Sequence, residues 1–314
     1  MRARRSCLSV PGSSPKFLAK AAGLPADEVF FDLEDSVAPL EKEAARDNII
    51  EALKNNTFQA PTKIVRINGV YTKWAYRDII TLAEAVGDLI DGFMIPKVET
   101  ANDVTFVADL LRMIEETTGL NKKLGLEVQI ETALGLQNIR EIAAASDRTE
   151  DLILGPADMS ASLGLPTVTA GAPIPGYESL DHWHYVLTHI NIAARARNLQ
   201  SIDGPYLLIR DLDGFRQAAM RARALGYDGK WALHPDQVTV LNEVFTPTQD
   251  EYDKAEAILE HYKHVTEVER KGAVMFGKEM IDEASRKMAD QVAARGVAAG
   301  MKREKGVEDF LKTE

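Results

Sequence analysis

Two carboxylates stand directly after short apolar runs, and their placement suggests metal chemistry. In residues 124–135, Leu-Gly-Leu-Glu-Val-Gln-Ile-Glu-Thr-Ala-Leu-Gly, the apolar run stops at Glu131. In Asp151-Leu-Ile-Leu-Gly-Pro-Ala-Asp158 it stops at a turn followed by Asp158. Each segment reads as a buried strand that hands an acid to the start of a helix. Acids from neighbouring strand ends suit a hard divalent cation, Mg²⁺ or Mn²⁺, with the remaining positions open to substrate oxygens and water. Asp is also a favoured helix N-cap, so a capping role for each acid stays open here.

Delivering both acids to one place requires an α/β frame. Apolar strand patterns occur at 6–10, 29–33, 63–67, 92–95, 124–130, 152–154, 200–202 and 230–233. Helical patterns fall between them, at 42–53, 76–86, 101–117, 135–145, 182–198 and 212–225. A Gly- and Pro-rich stretch at 164–176 reads as a loop over one end of the sheet. Strands and helices that alternate in this way, with no hairpin between them, predict a (β/α)8 TIM barrel over 1–246. A C-terminal helical extension over 247–314 follows, built from a helix at 249–268, a Gly-flanked segment at 272–277 and helix from 281 onward. Its polar character suits a piece that folds back or docks on another subunit. Residues 301–314 are charge-rich and are expected to be a solvated end.

On such a barrel the strand ends gather Ser13, Asp32, Glu34, Asp35, Arg66, Lys97, Glu131, Asp158, Asp203 and His234. Arg66, flanked by apolar residues, suits the stabilisation of a developing oxyanion beside a metal. Asp32, Glu34 and Asp35 can equally cap the second helix or pair with Lys42 and Arg46, a structural role. His182, His184 and His189 do not share one helical face and read as surface or core residues rather than a metal cluster. Pro11-Gly12-Ser13-Ser14 ahead of Lys16 and Lys20 is a weak phosphate-cradle pattern. The G-x-G-x-x-G, Walker, G-x-S-x-G and H-E-x-x-H motifs are missing from the sequence.

The composition removes other classes. The 314 residues carry 37 Lys plus Arg against 48 Asp plus Glu, a net charge of −11, which argues against nucleic acid or an anionic membrane as the main partner. Cys7 is the single cysteine, so an intrachain disulfide is impossible and a reducing cytoplasm is the expected compartment. The basic start, Met1-Arg-Ala-Arg-Arg5, meets Pro11-Gly12 without the apolar core of a signal peptide, and no stretch is long enough to span a bilayer.

Taken together, Val10-Pro-Gly-Ser13, Phe31-Asp-Leu-Glu-Asp-Ser-Val-Ala-Pro39, Val65-Arg-Ile-Asn-Gly69, Ile95-Pro-Lys-Val98, Ile130-Glu-Thr-Ala133, Gly155-Pro-Ala-Asp158, Ile202-Asp-Gly-Pro205 and Gly229-Lys-Trp-Ala-Leu-His-Pro235 carry a likeness along nearly the whole barrel. The chain resembles the HpcH/HpaI aldolase/citrate lyase β-subunit family of CoA-ester lyases. Gly229–Pro235 and Asn242-Glu-Val-Phe-Thr-Pro247 lean toward its malyl-CoA/β-methylmalyl-CoA lyase branch, while Ser9 and Ser14 depart from that branch's pattern for CoA contacts. The resemblance implies Mg²⁺ on Glu131 and Asp158, Arg66 facing substrate oxygens, Lys20 at the CoA phosphates, and Ala157, Leu233 and His234 along the ester and pantetheine channel. It also implies that Asp282 is an acid/base carried over a neighbouring subunit's barrel in a homotrimer or homohexamer; from local pattern alone Asp282 is a helix N-cap. The implied substrates are an acyl-CoA and a 2-oxo acid, and the implied reaction is reversible cleavage of L-malyl-CoA or β-methylmalyl-CoA to acetyl-CoA or propionyl-CoA and glyoxylate. Citramalyl-CoA or citryl-CoA cleavage, a malyl-CoA thioesterase or malate synthase-like reaction, and a non-catalytic acyl-CoA-binding protein are the alternatives.

Overall fold

A computed structural model describes residues 2–174, 176–177 and 181–311. Eight parallel strands close into a barrel in sequence order: β1 (Ser6–Pro11), β2 (Glu28–Asp32), β3 (Thr62–Arg66), β4 (Gly92–Ile95), β5 (Gly125–Ile130), β6 (Thr149–Leu154), β7 (Gln200–Asp203) and β8 (Gly229–Ala232). The β1–β8 register, Cys7 opposite Trp231, completes the ring. This is the (β/α)8 barrel expected, and it forms a compact unit over Met1–Phe245. Helices wrap the strands, so both strand faces are buried and the strands read as nearly continuous apolar runs.

The inward residues lie in layers set by the two-residue period of a strand. Cys7, Phe30, Ile64, Met94, Ile153, Ile202 and Trp231 form an apolar middle layer. One step toward the carboxyl ends lie Asp32 and Arg66, and Glu131 follows β5 there. One step toward the amino ends lie Glu28, Glu127 and Asp151, all fully buried.

Arg4 meets those acids on the barrel floor. Its Nε lies 2.9 Å from Glu28 Oε2, 2.9 Å from Glu127 Oε1 and 3.1 Å from Asp151 Oδ2, and its other nitrogens donate to Gln200 and Glu150. Gly229 is required beside it, because an added Cβ would come within 1.7 Å of the Arg4 carbonyl oxygen. A single N–H cannot satisfy three carboxylates, and Glu28 Oε1, Glu127 Oε2 and both Asp151 oxygens find no hydrogen-bond partner within the protein. Burial, reinforced by the neighbouring acids, pushes the Glu127 carboxyl well above the usual range. Burial also pushes Asp151 up to about 8, against the pull of Arg4.

The folded floor therefore holds protons that the unfolded chain has already released. Stability from this source is complete below the unfolded carboxyl range and is lost as pH rises through about 8. Wild-type protein is therefore expected to lose thermal stability as pH rises from 6 to 8. The Asp151→Asn variant should lose clearly less over the same interval. Parallel pH slopes in thermal melts of the two proteins would contradict this.

The second unit, Thr246–Glu314, is built around the helix Gln249–His264, whose Thr248/Glu251 capping box fixes its start. A π-helical turn, Val265–Glu269, extends it. The Gly-flanked segment then proves to be an antiparallel hairpin of β9 (Val274–Phe276) and β10 (Glu279–Ile281), turning at Gly277, φ 58°. The helix Glu283–Ala298 follows. The charge-rich end is not simply solvated. Val307–Leu311 is helical, Phe310 stacks on Phe276 with centroids 6.2 Å apart, and Arg303 pairs with Glu260 at 2.6 Å. Residues 312–314 lie outside the described residues.

Candidate active site

Arg66 ends β3 inside the barrel, and its partner is Asp32, directly across on β2. The pair is bidentate: Nε to Oδ1 and Nη2 to Oδ2, both 2.7 Å. Two parallel charge-assisted bonds fix the guanidinium plane, which also lies 5.2 Å from the Trp231 ring centroid. Asp32 additionally accepts from the Glu34 and Ser36 amides. Burial would raise its pKa, but the charge and hydrogen bonds of Arg66 overcome that and hold it below the usual carboxylate range. Arg66 Nη1 stands 3.1 Å from Glu34 Oε2.

These contacts correct the expected pairing of Asp32, Glu34 and Asp35 with Lys42 and Arg46. Arg46 instead meets Asp78 at 2.9 Å, and Lys42 Nζ donates to the Leu33 and Glu34 carbonyl oxygens. Asp32 is the last residue of β2, and Glu34 and Asp35 just beyond it meet Arg66 and Lys97 instead.

Glu131 follows the last residue of β5 and is 1% exposed. Oε1 accepts from the Lys97 amide at 2.7 Å, and Oε2 accepts from Gln129 Nε2 at 2.6 Å. The close approach of Gly155 leaves no space for a side chain, since a Cβ there would fall 2.2 Å from Glu131 Oε2. Burial pushes the Glu131 carboxyl up to about 8, Lys97 opposes this, and the Asp158 charge adds to it. Asp158 is a first-turn residue of the helix Pro156–Leu163, whose N-cap is Gly155, so the capping reading fails for it. Thr132, not Glu131, caps the helix Ala133–Gln137, accepting from Gly135 N, so capping fails for Glu131 as well.

Both carboxylates are thus free of capping duty. Glu131 is buried beside another acid, a combination that a divalent cation relieves. The donors are hard oxygens, and each bonded Glu131 oxygen retains a further lone pair. The pair therefore fits Mg²⁺ or Mn²⁺.

Lys97 ties the pieces together. Its ammonium pairs closely with Glu34 and lies 3.4 Å from Asp35 Oδ1 and 3.6 Å from Asp158 Oδ2. Lys97 is recognisable from the sequence as a strand-end residue but not as this link, and Gln129, Gly155 and Trp231 carry no sequence signal of their own that sets them apart from core positions. Counting back two residues from Glu131 would have found Gln129.

The remaining candidates lie around this centre or apart from it. Ala157 is exposed, next to Asp158. Leu233 follows β8 and its amide donates to Gln237 Oε1 at 2.7 Å; His234 is exposed, with Nδ1 3.4 Å from Asp236. Lys20 is an exposed residue in the last turn of the helix Pro15–Ala21. Asp203 ends β7 but is spent on Lys230 in a buried 2.6 Å pair. Asp282 belongs to the second unit, where it caps the helix Glu283–Ala298 and accepts from the Ala284 and Ser285 amides at 2.9 and 3.1 Å. Among the described residues no group of three or more His, Cys, Asp or Glu side chains is arranged to hold a metal, and the three histidines form no cluster.

A closed parallel barrel with a fixed arginine and two acids at the carboxyl ends of its strands is of the (β/α)8 class, in which that end is where small-molecule sites are built. The HpcH/HpaI aldolase/citrate lyase family matches residues 5–235, and the chain belongs to that family. Over 299 residues it is 40% identical to the L-malyl-CoA/beta-methylmalyl-CoA lyase of Cereibacter sphaeroides, covering 93% of this chain and 94% of that one. A (3S)-malyl-CoA thioesterase from the same species is 36% identical over 277 residues, 87% of this chain and 88% of the relative. Among solved structures, CitE from Mycobacterium tuberculosis in complex with magnesium, acetoacetate and coenzyme A superposes with a TM-score of 0.73 at 28% identity, covering 93% of this chain and 97% of that one. A citrate lyase from Burkholderia xenovorans LB400, 20% identical, has a TM-score of 0.84 over 100% of this chain and 97% of its own, a likeness of fold. No helix among the described residues is long and apolar enough to cross a membrane.

Proposed function

We propose that the protein is a Mg²⁺-dependent carbon–carbon lyase that reversibly cleaves L-malyl-CoA or β-methylmalyl-CoA to acetyl-CoA or propionyl-CoA and glyoxylate, working in the cytoplasm as a homo-oligomer. The observation that carries this reading is that Glu131, Asp158 and the Asp32-locked Arg66 meet at one barrel mouth, linked through Lys97 and Glu34. Such a site needs an oxygen-rich substrate that develops an oxyanion during reaction. The 40% identity to an L-malyl-CoA/beta-methylmalyl-CoA lyase supports that choice of substrate.

Glu131 and Asp158 would hold Mg²⁺, which when bound supplies Lewis acidity to the substrate's carboxylate and hydroxyl oxygens. Asp282, contributed by a neighbouring subunit, takes the hydroxyl proton. The C–O bond becomes a carbonyl as the adjacent C–C bond breaks, releasing glyoxylate, and the bonding pair moves into the thioester as an enolate. Arg66 stabilises the enolate oxygen, its orientation fixed in advance by Asp32. The proton then returns to the enolate carbon, giving the acyl-CoA, and the same groups run in reverse perform the condensation. Lys20 meets the CoA phosphates, while Ala157, Leu233 and His234 line the thioester channel.

Incubation with malyl-, β-methylmalyl-, citramalyl- and citryl-CoA in Mg²⁺, with products read by mass spectrometry, tests the reading. The malyl and methylmalyl esters should be cleaved fastest, and failure to cleave any of the four would sink it. A second reading, thioester hydrolysis, is favoured by the 36% identity to a malyl-CoA thioesterase and would release free CoA.

A further inference from the structure

Lys97 adopts a backbone conformation that side chains resist. Its φ of 52° is left-handed, and among the described residues the other non-glycine positions of that kind are Asn198 and Arg270. A strained backbone persists where the surrounding contacts enforce it, and at Lys97 those contacts run in two directions. The amide points to Glu131 Oε1, 2.7 Å away. The side chain, 35% exposed, reaches Glu34, Asp35 and Asp158. One residue therefore touches both acids assigned to the metal, one through its backbone and the other through its charge.

We propose that Lys97 is a positioning residue of the metal site, orienting Glu131 through its amide while its ammonium serves as the cation beside Asp158 until a divalent ion displaces it toward Glu34 and Asp35. The proposal rests on the metal reading of Glu131 and Asp158. Its physical basis is charge. Asp32, Glu34, Asp35 and Asp158 outnumber Arg66 and Lys97, the cations that pair with them, and the Glu131 carboxyl stands beside them. Without a metal, the ammonium reduces repulsion among these acids. With a metal on Asp158, two cations at ion-pair distance from the same carboxylate repel, and the ammonium must yield. Glu34 and Asp35 already hold its other side, so it moves without losing its partners. They thus act as the resting place of a competing cation rather than as metal ligands.

Competition makes a prediction opposite to that for a supporting residue. Lys97→Gly keeps the amide, suits the left-handed backbone and deletes the ammonium; Lys97→Met deletes the charge but keeps bulk; Lys97→Arg keeps the charge. Titration calorimetry with Mg²⁺ alone, at fixed pH and ionic strength, should show the Gly and Met variants binding about fivefold or more tighter than wild type. Lys97→Arg should bind like wild type, and the gain should shrink as salt is raised. Thermal melts identify any variant that fails to fold, and the other neutral variant then carries the comparison. Equal or weaker binding by the neutral variants overturns the assignment, as does an Arg variant that binds as tightly as they do. Wild-type protein that takes up no Mg²⁺ overturns the metal reading as well, whereas wild-type uptake without the shift overturns the Lys97 role alone.

Discussion

Asp158→Ala protein is expected to fold normally and to cleave malyl-CoA about a thousandfold more slowly than wild type, or less. Asp158 is about one-third exposed and lies in the first turn of an eight-residue helix whose cap is Gly155, so removing its carboxylate leaves no buried charge unpaired and no cap lost. Its structural partner is Lys97 at 3.6 Å, which retains Glu34. The cost falls on chemistry. Lewis-acid stabilisation of developing charge amounts to several kcal/mol, and each 1.36 kcal/mol is a factor of ten in rate. The check is kcat against Mg²⁺ concentration: the variant should fail to recover at saturating metal. Full turnover by Asp158→Ala with a chelator present would remove the metal from the reaction.

Asp282→Asn should be the other large loss, about a hundred- to ten-thousandfold in kcat, the range for deleting a general acid or base. Asn preserves the acceptor oxygen that caps the helix Glu283–Ala298, so the cap bonds to Ala284 and Ser285 survive and the melting temperature should stay close to wild type. Loss of rate without loss of stability separates proton transfer from capping. A mixing experiment then tests where the group acts. Asp158→Ala and Asp282→Asn proteins, each inactive alone, should regain activity when unfolded and refolded together, because some mixed interfaces pair an intact barrel with an intact Asp282. Wild-type turnover by Asp282→Asn would exclude it from the mechanism, and mixtures no more active than their components would place the group in its own subunit.

The sequence made Glu131, Asp158 and Arg66 legible because a polar residue closing an apolar run is conspicuous, and the barrel then brings strand ends together. It did not make their neighbours legible, for a physical reason. In a parallel barrel both faces of a strand are buried, so alternation is hidden, and Glu28 and Glu127 inside apolar strands do not show which way they point. The same loss of contrast concealed Arg4, which reads as part of a basic tail but is 2% exposed among Glu28, Glu127 and Asp151. Asp32 was visible as an acid, but its choice of Arg66 over Arg46 depends on register between β2 and β3, which sequence spacing does not specify. The hairpin Val274–Ile281 escaped because its strands are three residues each, too short for a period to emerge. Asp282 has no local signature beyond that of a cap, and its assigned role comes from the family likeness.

The most direct measurement follows glyoxylate and free thiol together during incubation of metal-stripped protein with L-malyl-CoA, before and after Mg²⁺ is added. A Mg²⁺-dependent lyase gives silence on both channels without metal, then glyoxylate rising one-for-one with acetyl-CoA and no free thiol. Free CoA accumulating with malate, or glyoxylate released at full rate before Mg²⁺ is supplied, would contradict it.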